Sequence, residues 1–140
     1  MTVDERWDYV AHLDENLLQG GVCLSEWSAC LVRNADVAFV HEAHLACILT
    51  AIAAVESHLR HEEGRNGHLS DLIDGSDLSP DLRAELHALR RFRNSWVHVE
   101  ASSDEAELLS DPDGSEQELA DMARRSVVAI RRTLYSNPYV

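Results

Sequence analysis

Leu82, Leu86, Leu89, Phe92 and Trp96 recur at three- and four-residue steps within the stretch LRAELHALRRFRNSWVHVE. That spacing lays an apolar stripe along one side of a helix, so residues 82–100 are expected to form an amphipathic helix against a core. Ser79-Pro80 supplies an N-cap and a first-turn proline ahead of it, and Asp81 adds a charge suited to a helix N-terminus. Arg83, Arg90, Arg91 and Arg93 ride on the same helix. Asn94 and His98, four residues apart, stack one turn above the other on a face off the stripe. Arg93 starts about 140° round the helix from His98, and its long side chain reaches toward the same patch.

The remaining sequence is also helical in period. Thr2 with Glu5 reads as a capping box opening a helix to Gln19, with Trp7, Val10, Leu13, Leu17 and Leu18 inward and Gly20-Gly21 as the stop. Residues 25–32 read either as a short helix opened by Ser25, the favoured reading, or as irregular packing. From Asp36 to Glu63 the pattern is helical and apolar on more than one side, with Ala43, Ala46, Ala51, Ala53 and Ala54 allowing close neighbours. This is the expected central helix, stopped by Gly64. Leu69–Ile73 makes a turn or two, residues 101–114 read as loop, and Ser115 with Glu118 caps a last helix ended by Asn137-Pro138. No strand-period alternation or internal repeat is present. The expected fold class is all-α, one domain over residues 1–140, as an up-and-down bundle of four to five helices.

Charge and cysteine content narrow the function. No apolar run approaches the eighteen residues of a membrane span, and acids fill the first twenty positions where a secretion signal would be basic and then apolar. A cytoplasmic protein is the default. Cys23, Cys30 and Cys47 are an odd number without a close pair, which argues against a disulfide framework or zinc site. Cys30 and Cys47 are expected to be small core residues. The net charge of −13 is unusual for a nucleic-acid binder. It is unevenly spread: residues 82–99 carry +3, residues 122–133 carry +4, and residues 100–121 hold nine acids and no base. Two basic helices can thus still form a local positive cleft.

Arg93-Asn94-x-x-x-His98 near the end of a helix, in an all-α chain, resembles the signature of the HEPN superfamily. Leu45–Arg60, with Glu56 near its end, is similar to that family's long central helix, and the resemblance covers about residues 35–135. It implies metal-independent RNA cleavage without a cofactor. The 2′-hydroxyl attacks the adjacent phosphate, leaving a 2′,3′-cyclic phosphate and a 5′-hydroxyl. His98 would move protons, since imidazole titrates near neutral pH. Arg93 would hold the developing phosphorane charge with its planar fork, and Asn94 would orient the imidazole or donate to phosphate. Glu56 and Arg90 would support them, and Arg91, Arg124 and Arg125 would contact the RNA backbone. Each chain supplies one such set, and the family joins two across a dimer, so a homodimer is expected, with an antitoxin or other defence-system protein as a further partner. The resemblance implies a toxin–antitoxin or phage-defence role. Where some toxins of the family carry a Tyr modified with AMP, two residues past the His, this chain has Glu100, against control by that route. The alternative is a non-catalytic HEPN-like module that binds a nucleotide or a partner protein through a structural Arg93–Asn94–His98 knot.

Other motifs lead nowhere sharper. His41-Glu42-Ala43-His44 is one spacer short of a zinc-protease HExxH and reads as a solvated helix face. His58 and His61 lie three apart beside Glu62 and Glu63, and no Glu-x-x-His pair exists for a di-iron bundle. The Arg124–Arg132 cluster fits either a phosphate-tracking rim or a solvated face. Trp7, Trp27 and Trp96 fit core or dimer-interface anchors.

Overall fold

The computed structural model describes residues 1–64, 66–97 and 109–136. Among them the fold is an all-α bundle of six helices: α1 (Val3–Leu17), α2 (Glu26–Val40), α3 (His44–Glu63), α4 (Leu69–Asp74), α5 (Pro80–Val97) and α6 (Pro112–Leu134). None is long and apolar enough to cross a membrane. His98, Glu100 and most of the expected 101–114 loop lie outside the described residues, as does the Pro138 stop.

Local chemistry sets most helix starts. The Thr2 hydroxyl accepts from the Glu5 amide at 3.1 Å, Ser25 from Ser28 at 3.0 Å and Ser79 from Leu82 at 3.3 Å. Each oxygen satisfies one of the orphan amides of a first turn. Gly64 closes α3 at φ 62°, a left-handed conformation that glycine adopts without a Cβ penalty. The last helix departs from expectation. It starts at Asp111, not Ser115: the Asp111 carboxylate accepts from the Gly114 amide at 3.1 Å, with Pro112 in the first turn.

The expected helix over residues 36–63 is two helices. The chain leaves α2 through His41, turns at Glu42 with φ 60°, and re-enters α3 at His44. The Ala43 amide bonds the Ala38 carbonyl at 2.8 Å and the Glu42 amide bonds Phe39 at 3.1 Å. This is the paired closure of a Schellman motif, with glutamate at the position glycine usually takes. The His-x-x-His element is therefore a helix junction instead of a helix face. Arg6 braces it from α1: its Nε donates to the Val40 carbonyl at 2.6 Å and its Nη1 lies 3.3 Å from Glu42. A left-handed L-residue costs roughly 1–2 kcal/mol, partly offset in glycine by a freer unfolded chain. Glu42→Gly should therefore raise the unfolding free energy by about 0.5–1 kcal/mol, read as a higher urea midpoint.

The core is built around α3, which packs against α2, α4, α5 and α6. Cys47, Ile48, Ala51, Ile52, Ala54, Val55 and Leu59 are all buried, and the alanines let neighbouring backbones close in. The α5 stripe behaves as read, with Leu82, Leu86 and Leu89 buried and Phe92 and Trp96 partly so. Two hydroxyls buried on α6 return to their own helix, Ser126 to the Met122 carbonyl and Thr133 to Ala129, each at 2.8 Å. Buried polar groups are thus satisfied without a partner element.

Several expected core residues are outside it. Trp27 is 71% exposed and Trp7 38% exposed, so neither anchors this core. Cys30 is exposed, whereas Cys47 is buried as expected. Burial, reinforced by Asp36, pushes the Cys47 thiol up to about 12. Thiolate is the reactive form. A disulfide exchange reagent should label Cys23 and Cys30 readily in the native protein, and Cys47 only after denaturant is added.

One polar cluster ties the first two helices to the last. Arg131, 2% exposed, donates to both Asp36 oxygens at 2.9 and 2.7 Å and to Asp14 at 2.9 Å. The Tyr135 hydroxyl donates to the same Asp14 oxygen at 2.6 Å. Burial opposes the charge on Arg131, but Asp36 and Asp14 outweigh it and hold the guanidinium protonated.

Candidate functional site

Helix periodicity prepares a groove between the later turns of α3 and α5. Glu56 and Arg60 are four apart on α3, and Arg90 lies three and four residues before Arg93 and Asn94 on α5, so each helix presents its polar group on one face. These five side chains line one groove of about 310 Å³ together with Gly67, His68, Leu69 and Ser70. Four residues singled out from sequence, Glu56, Arg90, Arg93 and Asn94, therefore share one site. The fifth, His98, lies outside the described residues.

Each guanidinium in the groove is held by a neighbour. Arg93 donates from Nε and Nη2 to the Asn94 side-chain oxygen, at 3.2 and 2.8 Å. Arg60 donates to the Gly67 carbonyl at 2.9 Å and lies 3.4 Å from Glu56. Arg90 points Nε and Nη2 at His87 Nδ1, at 3.4 and 3.3 Å, while His87 Nε2 meets Asp74 at 2.7 Å. With Nδ1 accepting, the geometry puts the ring proton on Nε2, facing the carboxylate. Asp74, at the end of α4, thus orients Arg90 through His87, which lies one turn earlier on α5. Among the described residues, three arginines against one glutamate make the groove net positive in a chain of net charge −13.

A larger cavity of about 430 Å³ has the opposite character. Glu62, Glu63 and Asp77 line it with His58 and Cys23, and among the described residues no arginine does. Burial lowers the His58 imidazole below its ordinary value, disfavouring the cationic form there. An anion would find no counter-charge in that cavity, whereas the α3–α5 groove offers three.

The remaining basic residues lie elsewhere. Arg124 and Arg125 line a separate groove of about 160 Å³ with Tyr9, Glu85, Val128, Ala129 and Arg132. Arg125 is paired with Glu85, at 3.2 Å through Nε, and Arg124 with Asp121 at 3.0 Å. Arg91 is exposed on α5 and lines none of these cavities. The 122–133 cluster is thus neither a single rim nor a single solvated face, because Arg131 is interior.

Sequence reasoning missed Arg60, His68, His87 and Asp74. The four-residue step from Glu56 to Arg60 and the three-residue step from His87 to Arg90 were legible signals. Nothing in the sequence brings His68 or Asp74 to the arginines. Compared with known proteins, the chain matches no family model, no curated protein and no solved structure.

Proposed function

We propose that this chain is a metal-independent endoribonuclease of HEPN type, acting as a cytoplasmic homodimer in a toxin–antitoxin or phage-defence system. One observation carries the reading: Arg93, Asn94, Arg90 and Glu56, chosen from sequence for this chemistry, line a single net-positive groove. Arg93 presents its fork to the phosphate as charge develops on phosphorus, and Asn94 fixes the direction of that fork. His98, four residues beyond Asn94 in sequence, moves the proton, either from the 2′-hydroxyl or to the departing 5′-oxygen. An antitoxin or other defence-system protein would act by covering the groove.

The second reading is a non-catalytic module that binds a nucleotide or partner protein. Its support is the pair of bonds from Arg93 to Asn94, which ties the two side chains together within one helix. The deciding experiment incubates purified protein with RNA in chelator-containing buffer and identifies the product ends. Cyclic phosphates and 5′-hydroxyls, lost in His98→Ala, support the nuclease. Intact RNA with the wild-type protein sinks it.

A further inference from the structure

We propose that the α3–α5 groove is a binding site for a phosphate monoester, gripped by Arg60, Arg90 and Arg93. The proposal rests on the second reading, a module that binds a nucleotide, and specifies its ligand; it does not need the nuclease, since a chain that cuts nothing can still hold such a ligand.

The argument rests on how these arginines are held compared with others in the same molecule. Arg131, Arg125 and Arg124 each bond a carboxylate, from Asp36, Glu85 and Asp121. The groove arginines are oriented instead by uncharged acceptors: the Gly67 carbonyl, the His87 ring and the Asn94 amide oxygen. Among the described residues only Arg60 also approaches a carboxylate, Glu56, at the longer distance of 3.4 Å. Neutral acceptors fix the direction of a guanidinium while leaving its charge uncompensated. Three such charges against one carboxylate repel one another, and a bound anion relieves that repulsion. Nη1 of all three carries no hydrogen bond among the described residues, so each fork keeps a donor for a ligand.

Charge and size select the anion. A phosphate monoester carries about −1.5 to −2 near neutral pH, which matches the groove's net +2 better than the single charge of a diester. The volume of about 310 Å³ lies at the small end of ligand pockets. That suits one nucleotide better than a longer segment. His68 also lines the groove and makes no side-chain cap to its own helix. The monoester could come from a free nucleoside monophosphate or from the terminal phosphate of an RNA.

Calorimetry with adenosine 5′-monophosphate, adenosine, and 2′-O-methyl hexanucleotides with or without a 5′-phosphate tests the site without cleavage. Adenosine monophosphate should bind at least about tenfold tighter than adenosine. Arg60→Ala should weaken it by about tenfold, and Arg60→Lys, which keeps the charge but not the fork, by an intermediate factor. Arg33→Ala, the same charge change at an exposed position of α2, should leave it unchanged. Tighter binding of the mononucleotide than of the phosphorylated oligomer assigns a free nucleotide, and the reverse order assigns an RNA end. Equal binding of adenosine and its monophosphate, equal losses in Arg60→Ala and Arg33→Ala, or indifference of the oligomer to its 5′-phosphate together with tighter binding than the mononucleotide, overturns the proposal. Binding through Arg60 without RNA cleavage keeps this site and removes the nuclease; cleavage without monophosphate binding does the reverse.

Discussion

Arg131→Met is expected to lower the unfolding free energy by about 3–5 kcal/mol, the usual cost of stripping one partner from a buried ion pair. For a chain of this length that is a fall of roughly 10–20 °C in the melting midpoint. The loss comes from what remains. Asp36, 7% exposed, would keep its carboxylate under α6 with no cation, and Asp14 would keep only Tyr135 and water. Burial already pushes the Asp36 carboxyl above its ordinary value of 3.8 despite its bonds to Arg131. Without the guanidinium it rises further. The folded variant then retains a proton that the unfolded chain releases, so stability falls as pH climbs above 3.8 and is partly regained on acidification. Replacing both partners, as Arg131→Met with Asp36→Leu, should recover most of the loss, because a well-packed apolar pair avoids the desolvation that the ion pair must overcome. Denaturant titrations of the two variants at pH 5 and 7 decide the matter. A single variant within about 1 kcal/mol of wild type would mean that the cluster is hydrated and not interior.

Which of these features could be read beforehand follows from the range of the interaction that creates them. Thr2, Ser25 and Ser79 cap helices by bonds spanning three residues, so the residue types alone located three helix starts. The leucine stripe of α5 is equally local. The junction at residues 41–43 was illegible because glutamate, and not glycine, occupies its left-handed position, and Arg6 supports it from 36 positions away. Arg131 looked like part of a surface cluster for a similar reason. Its partners Asp36 and Asp14 are 95 and 117 positions distant, and only the packing of α1 and α2 on α6 distinguishes it from Arg124 or Arg132. The groove divides in the same way. Arg93 and Asn94 are adjacent, so their partnership was visible; the uncharged acceptors that orient Arg60 and Arg90 depend partly on where the α3–α4 connection and Asp74 come to rest.

Within the nuclease reading, His98→Ala should reduce the cleavage rate by about 10²–10⁴, the range for loss of a proton-transfer group. Arg93→Ala should reduce it by about 10²–10³, the range for removing one donor to a developing oxyanion. Arg93→Lys should fall between Arg93→Ala and wild type, because an ammonium keeps the charge but meets only one phosphate oxygen well. The same substitutions should hardly affect folding. Arg93 is half-buried at a groove wall and, among the described residues, its bonds run only to its chain neighbour Asn94, so its removal should shift stability by less than about 1 kcal/mol. A structural knot predicts the opposite signature: both alanine variants melt earlier and no RNA is cut at any concentration. Dilution supplies a further test, since a site assembled from two copies loses specific activity as protein concentration falls through the dimer dissociation constant. Specific activity that stays constant while light scattering reports monomers would remove the two-copy site and leave a single chain to supply both proton transfers.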